Sequence, residues 1–282
     1  MDVLKSILFG IVEGITEWLP VSSTGHMILL EEFVKFQNVS EGFFDMFEVV
    51  VQLGAILAVV LLYFKDIWPF TKGTGKEYAK QGILSYVNKD IMTLWFKILV
   101  ACVPAAVVGL AFDDILDKYL YNSYVVATML IIFGIAFIII ENRNKDLKPV
   151  TMAAADITYK QALIIGAFQL IAAIFPGTSR SGATIIGALM IGVSRKAAAD
   201  FTFYLAIPVM FGASLLKVLK FGFAFTGTEI AVLLTGMVVA FFVSVFVIKM
   251  LLGYIRKHDF KVFGWYRIVL GVVVLGYFWL AA

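Results

Sequence analysis

Apolar residues fall into long runs along this chain, separated by short polar segments, and the run lengths set the elements. Six runs of about 18 to 24 residues, at 43–64, 91–112, 123–141, 198–218, 229–252 and 262–281, suit helices that cross a hydrocarbon core of roughly 30 Å. Two further regions, 2–36 and 159–194, are apolar but broken midway by Pro, Gly and Ser. Their arms of about 14 to 18 residues reach only roughly 21 to 27 Å at the helical rise. Each therefore reads as a re-entrant helical hairpin that enters the membrane and returns to the same side. Non-helical backbone at that depth survives only where protein buries it or a watered cavity receives it. The pattern predicts an all-α membrane protein, a single integral membrane domain over 1–282.

Composition agrees, with 61% hydrophobic residues, 15% charged and a mean hydropathy of +0.95, far from the roughly 25% charged residues of soluble domains. The net charge of +3 is small for 282 residues. Lys and Arg cluster between apolar runs, which follows the positive-inside pattern and argues against nucleic-acid binding. The segments 65–90 (Lys65, Lys72, Lys76, Lys80, Lys89), 142–160 (Arg143, Lys145, Lys148, Lys160) and 253–261 (Arg256, Lys257, Lys261) are expected in the cytoplasm. The loop 113–122, with Asp113, Asp114, Asp117 and Lys118, is expected outside. Threading the spans through these assignments brings the first hairpin in from outside and the second from the cytoplasm. The halves 1–141 and 142–282 then form inverted-topology repeats, each a hairpin followed by three spans. An offset of 156 supports this by pairing Gly10 with Gly166, Glu13 with Gln169, Pro20 with Pro176 and Ser23 with Ser179. The single cysteine, Cys102, permits no internal disulfide and reads as a space-filler. Acids at Glu13 and Glu17 interrupt what would be a signal-peptide core, so residues 1–36 are expected to belong to the mature fold.

Chemistry concentrates at the two breaks. Ionisable groups at bilayer depth are costly and mark substrate sites, ion sites or proton relays. Glu13 and Glu17 share one helix face, one turn apart. They want a cation between them, either Mg²⁺ or Ca²⁺ through oxygen ligands or a positive side chain; otherwise they face external water. Ser22, Ser23 and Thr24 precede a helix start, where hydroxyls and free N–H groups bind anions or simply cap the helix. His26 is one of two histidines and a candidate nucleophile or general acid-base group; alone on an apolar face it would be a structural residue. Arg180, among Thr178, Ser179 and Ser181 at the second break, has a guanidinium fork that suits phosphate oxygens. Its plainer alternative is a buried ion pair with Glu13 or Glu17.

Other polar residues carry less. Glu48 and Gln52, four apart, form a face that could line the cavity. Asp156, ahead of Tyr159 and Gln161, is expected to cap the second hairpin. Asp45 and Asp200 open the first full span of each half, and Lys97 and Lys249 are expected to snorkel. His258, in a basic loop, needs no special account. Together, an anion pocket, two acids suited to a divalent cation and one His at membrane depth fit phosphoryl transfer on an amphiphile. A soluble substrate would not require a buried site.

The runs Glu13-Gly14-Ile15-Thr16-Glu17-Trp18-Leu19-Pro20-Val21-Ser22-Ser23-Thr24-Gly25-His26 and Pro176-Gly177-Thr178-Ser179-Arg180-Ser181-Gly182-Ala183-Thr184 resemble the signature motifs of the undecaprenyl-diphosphate phosphatase family, the bacitracin-resistance membrane proteins of bacteria. Phe47–Gly54 and Asp156–Ala162 also look like family segments, and the resemblance covers essentially the whole chain. It implies hydrolysis of undecaprenyl diphosphate to undecaprenyl phosphate, recycling the carrier lipid for cell-wall synthesis. It also implies a bacterial plasma-membrane location with the site open to the outer, periplasmic side. By motif position, Glu13 and Glu17 would bind metal (Mg or Ca) or act as acid-base groups, His26 and Ser23 would be candidates for nucleophile or general acid, and Arg180 would hold phosphate. The rival expectation is a lipid-phosphate transporter or flippase using the same buried groups, since broken helices in inverted repeats are a transporter's architecture. The oligomeric state, including a homodimer, stays open.

Overall fold

The structure, a computed structural model, describes residues 1–70 and 86–281. Among them there are helices and no strand beyond two isolated bridges. In chain order these are α1 (Asp2–Thr16), α2 (Ser23–Phe33), α3 (Phe43–Val50), α4 (Gln52–Leu62), α5 (Phe64–Ile67), α6 (Lys89–Leu120), α7 (Ser123–Arg143), α8 (Tyr159–Ile174), α9 (Arg180–Met190), α10 (Arg195–Phe221), α11 (Gly227–Ile255) and α12 (Lys261–Ala281). Six stretches are long and apolar enough to cross a membrane: 43–62, 89–109, 123–143, 195–221, 227–255 and 261–280. The protein is thus an all-α, multi-pass membrane protein, and these six match the six predicted runs. Lys72, Lys76 and Lys80 lie outside the described residues, as do the side chains of Asp113, Asp114, Asp117 and Lys118.

Three sequence expectations differ locally. The acidic segment 113–120 is not a loop: α6 continues through it to Leu120. Its 32 residues would extend about 48 Å, well past a hydrocarbon core. Acidic residues end the apolar run but do not break a helix, so hydropathy underestimates the element. The cap of α8 is Thr158, not Asp156. Thr158 Oγ1 accepts from Gln161 N while Gln161 Oε1 accepts from Thr158 N, a reciprocal capping box; Asp156 closes a short 3₁₀ turn instead. The first span is nicked at Val51, although its φ of −59° and ψ of −27° remain helical.

Both broken regions fold as helical hairpins. Asp2 accepts hydrogen bonds from Asn38 N at 2.9 Å and Gln37 N at 3.2 Å, joining the ends of the 2–38 segment. Ser40 N donates to Glu229 at 2.7 Å, which sets that mouth beside the start of α11, just beyond the end of α10. The second hairpin, α8 and α9, runs directly into the start of α10 through Ser194, whose side chain caps Ala197 N. A single 27-residue helix therefore separates the two mouths, and they lie at opposite ends of the bundle.

Packing is exchanged between halves: α1 lies on α11, α8 on α6, and α7 on α12. Two glycines allow the close approach. A Cβ at Gly10 would sit 2.6 Å from Gly236 O, and one at Gly166 would sit 2.4 Å from Ala101 O. The central element is α9, buried from Ser181 through Leu189. A helix enclosed on every side needs no polar face, and its Gly and Ala residues let α7, α8 and α10 close around it.

Candidate active site

Ser22 and Ser179 are the described non-glycine residues with positive φ, at 76° and 70°. Such conformations hold only where the surroundings fix them, at about 1–3 kcal/mol each, and they gather at functional sites. Each serine ends a break and caps the following helix: Ser22 Oγ accepts from Gly25 N at 3.2 Å and Ser179 Oγ from Gly182 N at 3.1 Å. The local device is the same, 157 positions apart. The offset of 156, which pairs Ser23 with Ser179, is therefore one residue off at this point; Ser23 stands opposite Arg180.

What holds both turns is Arg267, which the sequence reading did not single out. It is fully buried on α12. Its Nη1 donates to Pro20 O at 3.1 Å in the first break, and Nη2 donates to Gly177 O at 2.9 Å and Thr178 O at 2.7 Å in the second. The Phe133 ring lies 5.8 Å from the guanidinium carbon. A buried cation is tolerable only when its donors are satisfied; here the carbonyls of two broken helices do it. A lone Arg within the apolar run 262–281 was the signal available for it.

Against this frame three sequence-predicted residues converge. Glu17 Oε1 accepts from Arg180 Nη2 at 2.9 Å, and Glu17 Oε2 accepts from Ser23 Oγ at 2.6 Å. Arg180 Nη1 donates to Thr202 O at 3.0 Å, while its Nε is buried without a partner among the described residues. One carboxylate thus links the hydroxyl of the first break to the guanidinium of the second. A cavity of about 130 Å³ opens on this group, lined by Glu17, Ser23, Thr24, Gln52, Ser179 and Arg180 together with the Pro176–Gly177 backbone. The Arg–carboxylate pair expected as the plainer alternative is present, with Glu17 and not Glu13.

Thr24 and Gln52 also line an adjoining cavity of about 140 Å³ with Glu13, Glu48, Tyr121 and Lys217. Both Glu13 and Glu17 are buried, so neither faces open water. Glu13 is fully enclosed, and neither of its oxygens has a hydrogen-bond partner among the described residues. A carboxylate in that state requires a proton or a cation. Glu48 accepts from Tyr121 Oη. Lys217 lines this compartment and also a wider one of about 530 Å³ at the α1 end, bordered by Ser40, Glu41, Asp45 and Lys220. The polar compartments therefore follow one another from that end down to Arg180.

Other predicted residues stand apart. His26 does not line these cavities. Its ring lies parallel to Tyr266, 3° between planes, with Nε2 and Tyr266 Oη 2.7 Å apart and Nδ1 2.7 Å from Ser22 O. Because a carbonyl only accepts, Nδ1 carries the proton and Nε2 accepts from the tyrosine. Both ring nitrogens are thereby committed, one of them to fixing the strained Ser22. Ser22 itself is occupied as a cap. Ser181 Oγ donates to Glu17 O at 3.1 Å, and Thr178 Oγ1 is buried without a partner among the described residues. Of the expected phosphate-binding set, Ser23, Thr24, Ser179 and Arg180 face the cavity, and Ser22, Thr178 and Ser181 support it. Asp200 accepts from Tyr63 Oη at 2.8 Å and Lys196 Nζ at 2.6 Å, away from the site.

A hydroxyl donating to a carboxylate, next to a guanidinium whose Nε has no partner among the described residues, at a cavity of about 130 Å³, can attack an electrophile and hold the negative charge that develops. A family model described as bacitracin resistance protein BacA matches residues 6–273. An undecaprenyl-diphosphatase of Desulfitobacterium hafniense is 62% identical over 278 residues, covering 99% of this chain and 96% of that protein. Proteins of the same description from Lachnoclostridium phytofermentans and Enterococcus faecalis are 59% and 60% identical, over 100% and 98% of this chain and 98% and 96% of their own.

Proposed function

This chain belongs to the bacitracin resistance protein BacA family, and from that premise we propose how its buried polar site works. The protein is an undecaprenyl-diphosphatase: it hydrolyses undecaprenyl diphosphate to undecaprenyl phosphate and inorganic phosphate, returning the carrier lipid to cell-wall synthesis and conferring bacitracin resistance.

In our reading Ser23 is the nucleophile. Its Oγ attacks the terminal phosphorus as Glu17 takes its proton, and the bond to the bridging oxygen breaks with its electron pair leaving on undecaprenyl phosphate. Arg180 leaves Glu17 for the equatorial phosphate oxygens, where its fork and unpartnered Nε meet the growing charge. Glu17 passes the Ser23 proton on to the departing undecaprenyl phosphate; it then takes a proton from the water that attacks the phosphoserine and returns it to Ser23 Oγ as the P–O bond breaks and phosphate is released. The single observation carrying this is the Ser23–Glu17–Arg180 chain of hydrogen bonds at the wall of a cavity of about 130 Å³. His26 acts as a positioning residue through Ser22.

A divalent cation, Mg²⁺ or Ca²⁺, fits the donor set through Glu13, whose two oxygens are otherwise unmatched. The Glu17 oxygens are already bonded to Arg180 and Ser23. Bound there, the cation would neutralise diphosphate charge. We read the two hairpins as re-entrant and the halves 1–141 and 142–282 as inverted repeats, on the strength of the opposed mouths and exchanged packing. We place the α1 end, and with it the entrance, at the outer face, because Lys145, Lys148, Arg195, Lys196, Arg256 and Lys257 crowd the other end.

Purified protein in detergent, given a prenyl diphosphate and Mg²⁺ or Ca²⁺, is expected to release inorganic phosphate, and chelation to stop it. Glu13→Gln is expected to lower turnover about 100-fold and raise the metal concentration for half-maximal rate, a split that separates metal binding from a merely structural effect. Absence of phosphate release, with lipid translocation retained in vesicles, would replace hydrolysis by transport.

A further inference from the structure

A further cavity, of about 580 Å³, opens at the α8 end of the bundle, away from the reacting groups. It is lined by four cationic side chains, Lys145, Lys148, Arg195 and Lys196, and a single carboxylate, Glu141. That carboxylate is already committed. It is buried, accepts Arg195 Nε at 2.9 Å and Nη2 at 2.5 Å, and accepts Phe260 N at 2.9 Å. The guanidinium is thereby locked in place, with Nη1 bonded to none of the described residues. Lys196 pairs with Asp200, whereas Lys145 and Lys148 make no ion pair among the described residues. Positive charge is left over at the rim.

The wall is ordered by backbone. The segment after α7 runs beside the turn between α9 and α10, with Val150 N donating to Gly192 O at 2.8 Å and Ser194 N to Thr151 O at 2.9 Å. Asn144 Nδ2 pins the same segment to Leu189 O at 2.8 Å. Beside the cations, this segment presents apolar side chains outward. Leu147, Val150 and Met152 are 58%, 84% and 64% exposed. Uncovered in water, that surface is unfavourable. At a membrane interface it is where acyl chains lie, and basic pockets between spans take anionic lipid headgroups.

We propose that this cavity is a binding site for an anionic phospholipid, whose phosphodiester lies among Lys145, Lys148 and the free edge of Arg195 while its chains cover Leu147, Val150 and Met152. The volume far exceeds one inorganic phosphate and lies in the ordinary range for small-ligand pockets. The claim needs only that the protein spans a membrane; it is independent of the phosphatase mechanism and of which end faces the cytoplasm.

Native mass spectrometry of the detergent-purified protein, titrated separately with phosphatidylglycerol, phosphatidylcholine and glycerol phosphate, tests it. Wild type is expected to retain one phosphatidylglycerol per chain with at least fivefold preference over phosphatidylcholine. K145Q/K148Q is expected to lose that preference, with phosphate release in detergent unchanged. Equal retention of the two lipids, or an undiminished preference in the double variant, overturns the proposal. Displacement of the lipid by millimolar glycerol phosphate overturns it too, by making this a soluble-anion site. Loss of phosphate release in the double variant would show that the cavity serves the catalytic site instead.

Discussion

Replacing Arg180 with alanine is expected to lower turnover about a thousandfold, the range seen when a guanidinium that meets transition-state charge is removed. In the resting protein Arg180 bonds Glu17 and Thr202 O, so alanine also leaves the Glu17 carboxylate buried with Ser23 as its hydrogen-bond partner. Breaking a buried ion pair from one side destabilises by about 3–5 kcal/mol, because the remaining charge is uncompensated. R180A should therefore melt lower as well as turn over slowly, and the two effects separate in the double variant. R180A/E17Q removes the stranded charge, so its melting temperature should recover while its activity stays at background. Arg180→Lys restores charge without the fork and should regain only about tenfold. An R180A enzyme within tenfold of wild type would remove the guanidinium from the proposed chemistry.

Arg267→Met is the second large change, with a different balance. Methionine leaves Pro20 O, Gly177 O and Thr178 O without their donor, at about 1–3 kcal/mol for each orphaned acceptor. It also relieves the burial of an unpaired cation, a penalty of several kcal/mol. The two are of similar size and opposite sign, so net stability should move little. Activity has no such offset. Ser22 and Ser179 keep positive φ only because their surroundings insist on it, and the arginine bonds the carbonyls two residues before each or closer. Turnover is expected to fall at least 100-fold while the melting temperature shifts by only a few degrees. Near-normal turnover would show that the breaks hold their geometry without this tie.

Much of this was legible in the chain, for identifiable reasons. The six spans are a matter of run length, and α7 and α11 begin at side-chain caps, Asn122 and Thr226, just ahead of their apolar runs. The two breaks were legible because Pro20 and Pro176 interrupt apolar regions, and each region does fold as two helices, α1 with α2 and α8 with α9. Glu17, Ser23 and Arg180 stood out because hydrocarbon does not tolerate them singly, and they do meet. What was hidden depends on rotation about helix axes. Periodicity places Glu13 and Glu17 on one face, yet it cannot show that Glu17 reaches both breaks while Glu13 opens into the next compartment. His26 is three residues from Ser23 in sequence, but its ring turns toward Tyr266, a partner 240 positions away. Arg267 was visible as an intramembrane cation and passed over because no motif surrounds it.

The central claim is that Ser23, and not His26, meets phosphorus, and a side-by-side comparison of turnover in Ser23→Ala and His26→Asn tests it most directly. An asparagine amide can still donate to Ser22 O as Nδ1 of the imidazole does, but it cannot take up a phosphoryl group or shuttle a proton as His can. The account predicts that S23A falls about a thousandfold or more while H26N keeps at least a tenth of wild-type turnover. An H26N enzyme as inactive as S23A, or an S23A enzyme within tenfold of wild type, would contradict it.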